Sequence, residues 1–153
     1  MRVIFFSLIA AFIVLPIAAA GVAEEPAVVM LVSLDRVRNV CGSDREIDAC
    51  TRFVAYRLDA SCDSHGALRA SVTFRPMIFL YNVQQLTHEK LHIEDIRRFA
   101  DAYVTDIEQK PFETESQCRD AATIAMDRFG ATMQSFAVRS NLERHPLLRL
   151  TAR

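Results

Sequence analysis

Residues 82–109 read NVQQLTHEKLHIEDIRRFADAYVTDIEQ, and the fold is decided here. Asn82 carries a side-chain oxygen suited to an N-cap, and Gln85 stands at the third helical position. The spacing predicts a helix from about Val83 to Gln109, stopped before Pro111, which cannot continue it. Leu86, Ile93, Ile96, Ala100, Tyr103, Val104 and Ile107 recur at helical spacing and form one apolar stripe. A helix of this length buries such a stripe only against another layer, so the flanking sequence must supply that layer.

Upstream, Leu68, Ala70, Val72 and Phe74 alternate with Arg69, Ser71, Thr73 and Arg75. This is a half-buried strand, expected to end at Pro76. Residues 27–34 are apolar and β-branched and predict a first strand. Residues 35–48 are charged and broken, with a turn at Cys41-Gly42-Ser43-Asp44, and residues 52–58 fit either a strand or a short helix. Downstream, Thr114 caps a second helix from about Glu115 to Ser140. Its apolar face is Cys118, Ala122, Ala125, Met126, Phe129, Met133 and Phe136, with Gly130 a weak point in the middle. The expected class is α+β, a small antiparallel sheet packed against the long helix and a second, C-terminal helix.

The long helix also carries chemistry. His88-Glu89-Lys90-Leu91-His92 spells H-E-x-x-H. Histidines at i and i+4 lie one turn apart on a helix, so both imidazoles can reach one metal ion. The glutamate after the first histidine can take a proton from a water polarised by that metal. A 100° projection puts Glu89 in the middle of the apolar stripe, where a carboxylate costs several kcal/mol unless it has a partner. His92 lies at one edge of the stripe and His88 a little further round. These residues mark a zinc site, with Glu89 as catalytic base.

A zinc hydrolase needs a third protein ligand. The H-E-x-x-H-x-x-G-x-x-H extension is absent, since Asp95 and Arg98 occupy its last two marked positions. Asp95 itself lies about 10 Å along the axis from His88, too far for three ligands from one straight helix. Glu115 lies 23 positions after His92 and projects onto the apolar face of the second helix beside Cys118; it is the preferred third ligand. Glu113, Asp127 and His145 are the alternatives, and His65 reads as an exposed loop residue.

The N-terminus has the form of a secretory leader. Arg2 precedes an apolar run to Ala20, and small residues 18–23 are followed by Glu24-Glu25-Pro26. Residues 1–23 are assigned to a signal peptide cut after Ala23 or Ala20, with a retained membrane anchor as the competing reading. Residues 24–153 form one domain large enough for a core. Losing Arg2 leaves a net charge of about −2, which points to neither nucleic acid nor an anionic membrane. An exported chain with four cysteines favours disulfides. Cys41–Cys50 is the expected local clip and Cys62–Cys118 the expected long tie, the latter contributing about 4 kcal/mol in a loop-entropy model.

The stretch from about Ser61 to Gln134 resembles a bacterial family of secreted zinc-dependent proteases of uncharacterised function. Cys62, Leu86-Thr87-His88-Glu89-Lys90-Leu91-His92-Ile93 and Gln117-Cys118 carry the resemblance. That family often has Tyr-Asp-x-x-Thr-x-His-Gly after its second helix. Here Met126-Asp127-Arg128-Phe129-Gly130-Ala131-Thr132 keeps the Asp and lacks the Thr and His, which makes Asp127 a rival third ligand. The expectation is an exported, periplasmic or secreted zinc metallopeptidase acting on peptide or protein substrates, with oligomeric state open. The competing expectation is a disulfide-stabilised binding domain that is not an enzyme.

Overall fold

A computed structural model describes residues 21–41 and 47–144. The element order is β1 (Gly21–Glu24), β2 (Val28–Leu31), α1 (Leu34–Cys41), β3 (Ala49–Cys62), β4 (Leu68–Leu80), α2 (Leu86–Glu108) and α3 (Glu115–Arg144). The class is α+β.

The sheet is built around β4. Its alternation works as the sequence predicts: Leu68, Ala70, Val72 and Phe74 are buried, while Arg69 and Arg75 are exposed. On one edge β3 pairs antiparallel along the whole strand, from Ala49↔Leu80 to Cys62↔Leu68. On the other edge β1 and then β2 pair in parallel, Gly21↔Ser71 and Val28↔Met77 being their first partners. The expected purely antiparallel sheet is therefore corrected to one in which β1 and β2 both join in parallel. Parallel partners arrive from distant sequence and leave no hairpin signal.

Pro76 does not end the ladder; β4 runs on to Leu80. The reason is geometric. Phe74 and Leu80 both turn their carbonyls to the β1/β2 edge, accepting from Glu25 N at 2.9 Å and Val32 N at 2.8 Å. Residue 76 has the same parity, so its missing N–H faces that edge too. There β1 has ended at Glu24 and β2 has not begun, so no ladder bond is lost.

Residues 27–34 supply only the four-residue β2, and the stretch expected to be broken contains α1. Ser33 starts this helix: its Oγ accepts from Arg36 N at 3.3 Å, and its carbonyl accepts from Val37 N at 3.0 Å. Val37 alone is buried there, too little to register as a periodic stripe. Residues 52–58 are strand. One extra residue on β3 between Val54 and Arg57 makes a bulge, with Ala55 at φ 54°. Residues 42–46, which hold most of the expected turn after Cys41, lie outside the described set.

Asn82 opens a short 3-10 turn, Val83–Gln85, by accepting from Gln84 N at 3.0 Å, and α2 follows. Its buried residues are Glu89, Ile93, Ile96, Ala100, Val104 and Ile107, the expected stripe with the carboxylate inside it. Thr114 caps α3 as expected. Its Oγ1 accepts from Gln117 N at 3.2 Å, while Gln117 Oε1 accepts from Thr114 N at 3.3 Å, a reciprocal capping box, and also from Glu113 N at 2.9 Å. Cys118, Ala122, Ala125, Phe129 and Met133 are buried along α3, whereas Met126 turns outward.

The two long helices run antiparallel, since Asp95 meets Ser140 and Arg144 while Tyr103 meets Ala125. Phe99 stacks on Phe136 with ring centroids 4.5 Å apart. Both expected disulfides are present: Cys41–Cys50 joins α1 to β3, and Cys62–Cys118 joins the end of β3 to the first turn of α3. No helix among the described residues is long and apolar enough to cross a membrane.

Candidate metal centre

The first two turns of α2 place the motif. His88 and His92 stand one turn apart with ring centroids 5.1 Å apart and planes at 84°. One donor atom from each of His88, Glu89 and His92 can be chosen so that all lie within 4.8 Å of one another, and this group could hold a metal ion. Donors at about 2.1 Å from a tetrahedral zinc are about 3.4 Å apart, the scale on which these atoms are gathered. Both histidines are half-buried and Glu89 is 4% exposed.

Glu89 is the unusual member. A carboxylate inside an apolar stripe needs a partner, and Thr51 on β3 supplies one, its hydroxyl donating to Glu89 Oε2 at 2.7 Å. The same hydroxyl lies 3.2 Å from the Glu89 carbonyl oxygen. Burial pushes the Glu89 carboxyl above its usual range; the Thr51 bond and the nearby His88 oppose the rise, and Asp48 adds to it. Two imidazoles beside a buried carboxylate held by a hydroxyl form a donor set suited to a borderline cation such as zinc.

Glu89 and His92 open onto a cavity of about 570 Å³ between β3 and the second half of α3. The α3 wall is pinned by Asp95, one turn beyond His92. Asp95 accepts from Ser140 Oγ at 2.7 Å and from Arg144 Nη2 at 2.6 Å, and Arg98 also donates to it. Arg144, first among these, holds the Asp95 carboxyl well below the usual carboxylate range. This engagement keeps Asp95 away from the metal group, in line with the axial spacing read from sequence.

Among the described residues, the candidate third ligands do not join the group. Glu115 is 68% exposed, faces Arg119 at 3.5 Å, and begins α3 beside the far end of α2. Nineteen residues of helix separate Glu89 from Glu108, about 28 Å at 1.5 Å per residue. Glu115 is thereby corrected: the antiparallel hairpin carries it away from His92. Glu113 sits in the same distant turn, and both it and Asp127 are exposed. His145 lies outside the described residues. His65 is exposed, as expected.

Sequence reasoning missed Thr51 and the Asp95–Ser140–Arg144 cluster. Nothing in a strand threonine advertises a carboxylate partner 38 positions away. The buried position of Glu89 was the available signal that some such donor had to exist. Comparison of the chain with family models, with curated proteins and with solved structures finds no match.

Proposed function

We propose that the chain is an exported zinc-dependent hydrolase of peptide bonds, the activity expected from its motif. One observation carries this reading. Glu89 is a buried carboxylate lying with two imidazoles within 4.8 Å, at the floor of an open cavity. A buried titratable carboxylate beside two potential metal ligands and open to a cavity is the arrangement in which a metal-assisted base acts.

His88 and His92 would hold zinc through neutral imidazole nitrogens. Bound there, zinc would supply Lewis acidity and lower the pKa of a nearby water. Thr51 fixes Glu89 Oε2, leaving Oε1 to accept a proton. Glu89 takes that proton as the water oxygen adds to the carbonyl carbon, and returns it to the amine nitrogen as the C–N bond breaks. Glu89 is 4% exposed, and this burial strengthens its charge interactions. Two disulfides fit an oxidising periplasmic or extracellular setting, and the leader assigned to the N-terminus would deliver the chain there.

A second reading is favoured by the same reach of Glu89. If its carboxylate ligates the ion, no base remains, and the chain is a disulfide-stabilised metal-binding domain without catalysis. A Glu89→Gln variant separates the two. The hydrolase reading expects zinc retained and peptide hydrolysis lost by at least about a hundredfold. Zinc lost together with Glu89, in a wild type without activity, supports the binding domain; hydrolysis intact in Glu89→Gln contradicts the proposed base.

A further inference from the structure

The cavity above the motif has a chemical character of its own. Phe53 and Tyr56 of β3, Ile96 of α2, and Met133, Ala137 and Val138 of α3 form the apolar part of its walls, Thr51, Gln134, Ser140 and Asn141 add polar groups, and Glu89 and His92 lie among them. Its 570 Å³ or so falls in the range of sites that enclose a small ligand. Arg52 is the one cationic residue among the described lining, and its Nη1 already donates to the Val40 carbonyl at 2.7 Å.

The shape is built rather than incidental. The β3 bulge at residues 54–57 turns Tyr56 toward α3, where its ring meets Phe129 at a centroid distance of 6.5 Å. Gly130 of α3 lies beneath that ring, a Cβ there falling 3.7 Å from Tyr56 Cε2. Met133 is 2% exposed and backs the wall with core packing. On the opposite side, Ser140 is locked by Asp95, which fixes the last turns of α3 beside His92.

We infer that this cavity is the specificity pocket of the proposed hydrolase, and that it takes a bulky apolar side chain, aromatic or long aliphatic, next to the bond cleaved. The inference rests on the hydrolase reading. An apolar side chain leaves water for apolar walls at no desolvation cost. An acidic side chain loses its hydration there, and the one arginine of the described lining is already engaged by the Val40 carbonyl. A residue without a side chain leaves the walls unfilled.

The test uses the whole folded chain in two forms. In the metal-free form, N-acetyl-phenylalanine amide and N-acetyl-aspartate amide are titrated against the methyl resonances of Met133 and Ala137. In the zinc-loaded form, affinities of glycine, phenylalanine and aspartate hydroxamates are compared by calorimetry. The expected result is methyl shifts with the phenylalanine probe only, and a phenylalanine hydroxamate bound at least roughly tenfold tighter than the glycine one. Ala137→Phe should erase that ratio by filling the pocket. Val138→Phe, at a position 57% exposed, serves the same purpose if the first variant does not fold. No methyl shifts with the phenylalanine probe, or equal affinities across the hydroxamates, would overturn the pocket assignment while leaving the zinc reading intact. Methyl shifts in a protein that takes up no zinc would instead overturn the hydrolase reading, and the substrate role with it.

Discussion

Thr51 Oγ1 lies 2.7 Å from Glu89 Oε2, so a strand hydroxyl fixes the orientation of the carboxylate assigned as base. Residue 51 is itself anchored, because its neighbour Cys50 is disulfide-bonded to Cys41. Replacing Thr51 by Val keeps the shape and removes the donor. The expected outcome is a loss of about 1–2 kcal/mol in stability from the unsatisfied acceptor, and a fall in kcat of roughly tenfold with zinc content unchanged. Thr51→Ser should restore both, and steady-state kinetics beside metal analysis check it. A fall in KM alone would contradict the positioning role.

Glu89 makes the metal-free protein sensitive to base. Its carboxyl is raised by burial, so its contribution to stability is full below the unfolded pKa of about 4.3 and is lost as pH rises through the folded value. Glu89→Gln removes that dependence. Metal-free Glu89→Gln should therefore be more stable than the wild type at pH 8, by about 1 kcal/mol, with the gain shrinking toward pH 4. Denaturant unfolding at the two pH values checks this; an equal difference at both would exclude a buried charge as the cause.

Asp95 gives the opposite sign. Its carboxyl is depressed by Arg144 and Ser140, so its contribution is present above the unfolded pKa of about 3.9 and is lost as pH falls through the folded value. The Asp95 side chain is 12% exposed and that of Arg144 24%, so solvent screens the pair only partly. Asp95→Asn should cost about 2 kcal/mol at pH 7 and much less at pH 2. The α3 wall beside His92 should loosen with it, seen as faster hydrogen exchange over residues 136–144.

The leader reading has a consequence at β1. Gly21–Glu24 pair with Ser71–Phe74, and Glu24 is ion-paired with Arg97 of α2. The next N–H along that edge of β4, on Ala70, is taken by Glu108 Oε1 at 2.7 Å. Cutting after Ala20 keeps β1; cutting after Ala23 removes most of it. Intact-mass measurement of the exported chain should place its first residue at Gly21. A first residue of Glu24 would contradict a structural role for β1.

Much of this arrangement was legible in residues 82–109 and 68–75. A periodic stripe with Glu89 inside it and a clean alternation along β4 are local signals, and burial follows them directly. The two disulfides were legible as well, since one short and one long pairing suited an exported chain. The parallel edge of β1 and β2 was not, because pairing with β4 depends on residues some fifty positions away. Glu115 failed for a related reason. Projection onto a helix face says which way a residue points, but not which end of a neighbouring antiparallel helix it stands beside. Pro76 misled because proline stops a strand only where its missing N–H would have been used.

Zinc content per chain tests the metal centre most directly. The wild type, His88→Ala and His92→Ala are dialysed against the same buffered zinc, and the bound metal is measured by mass spectrometry. The expected result is about one zinc per wild-type chain, with occupancy falling at least tenfold in each variant while both disulfides and the helical signal remain. Equal zinc in all three proteins, or none in the wild type, would contradict a metal centre at His88 and His92.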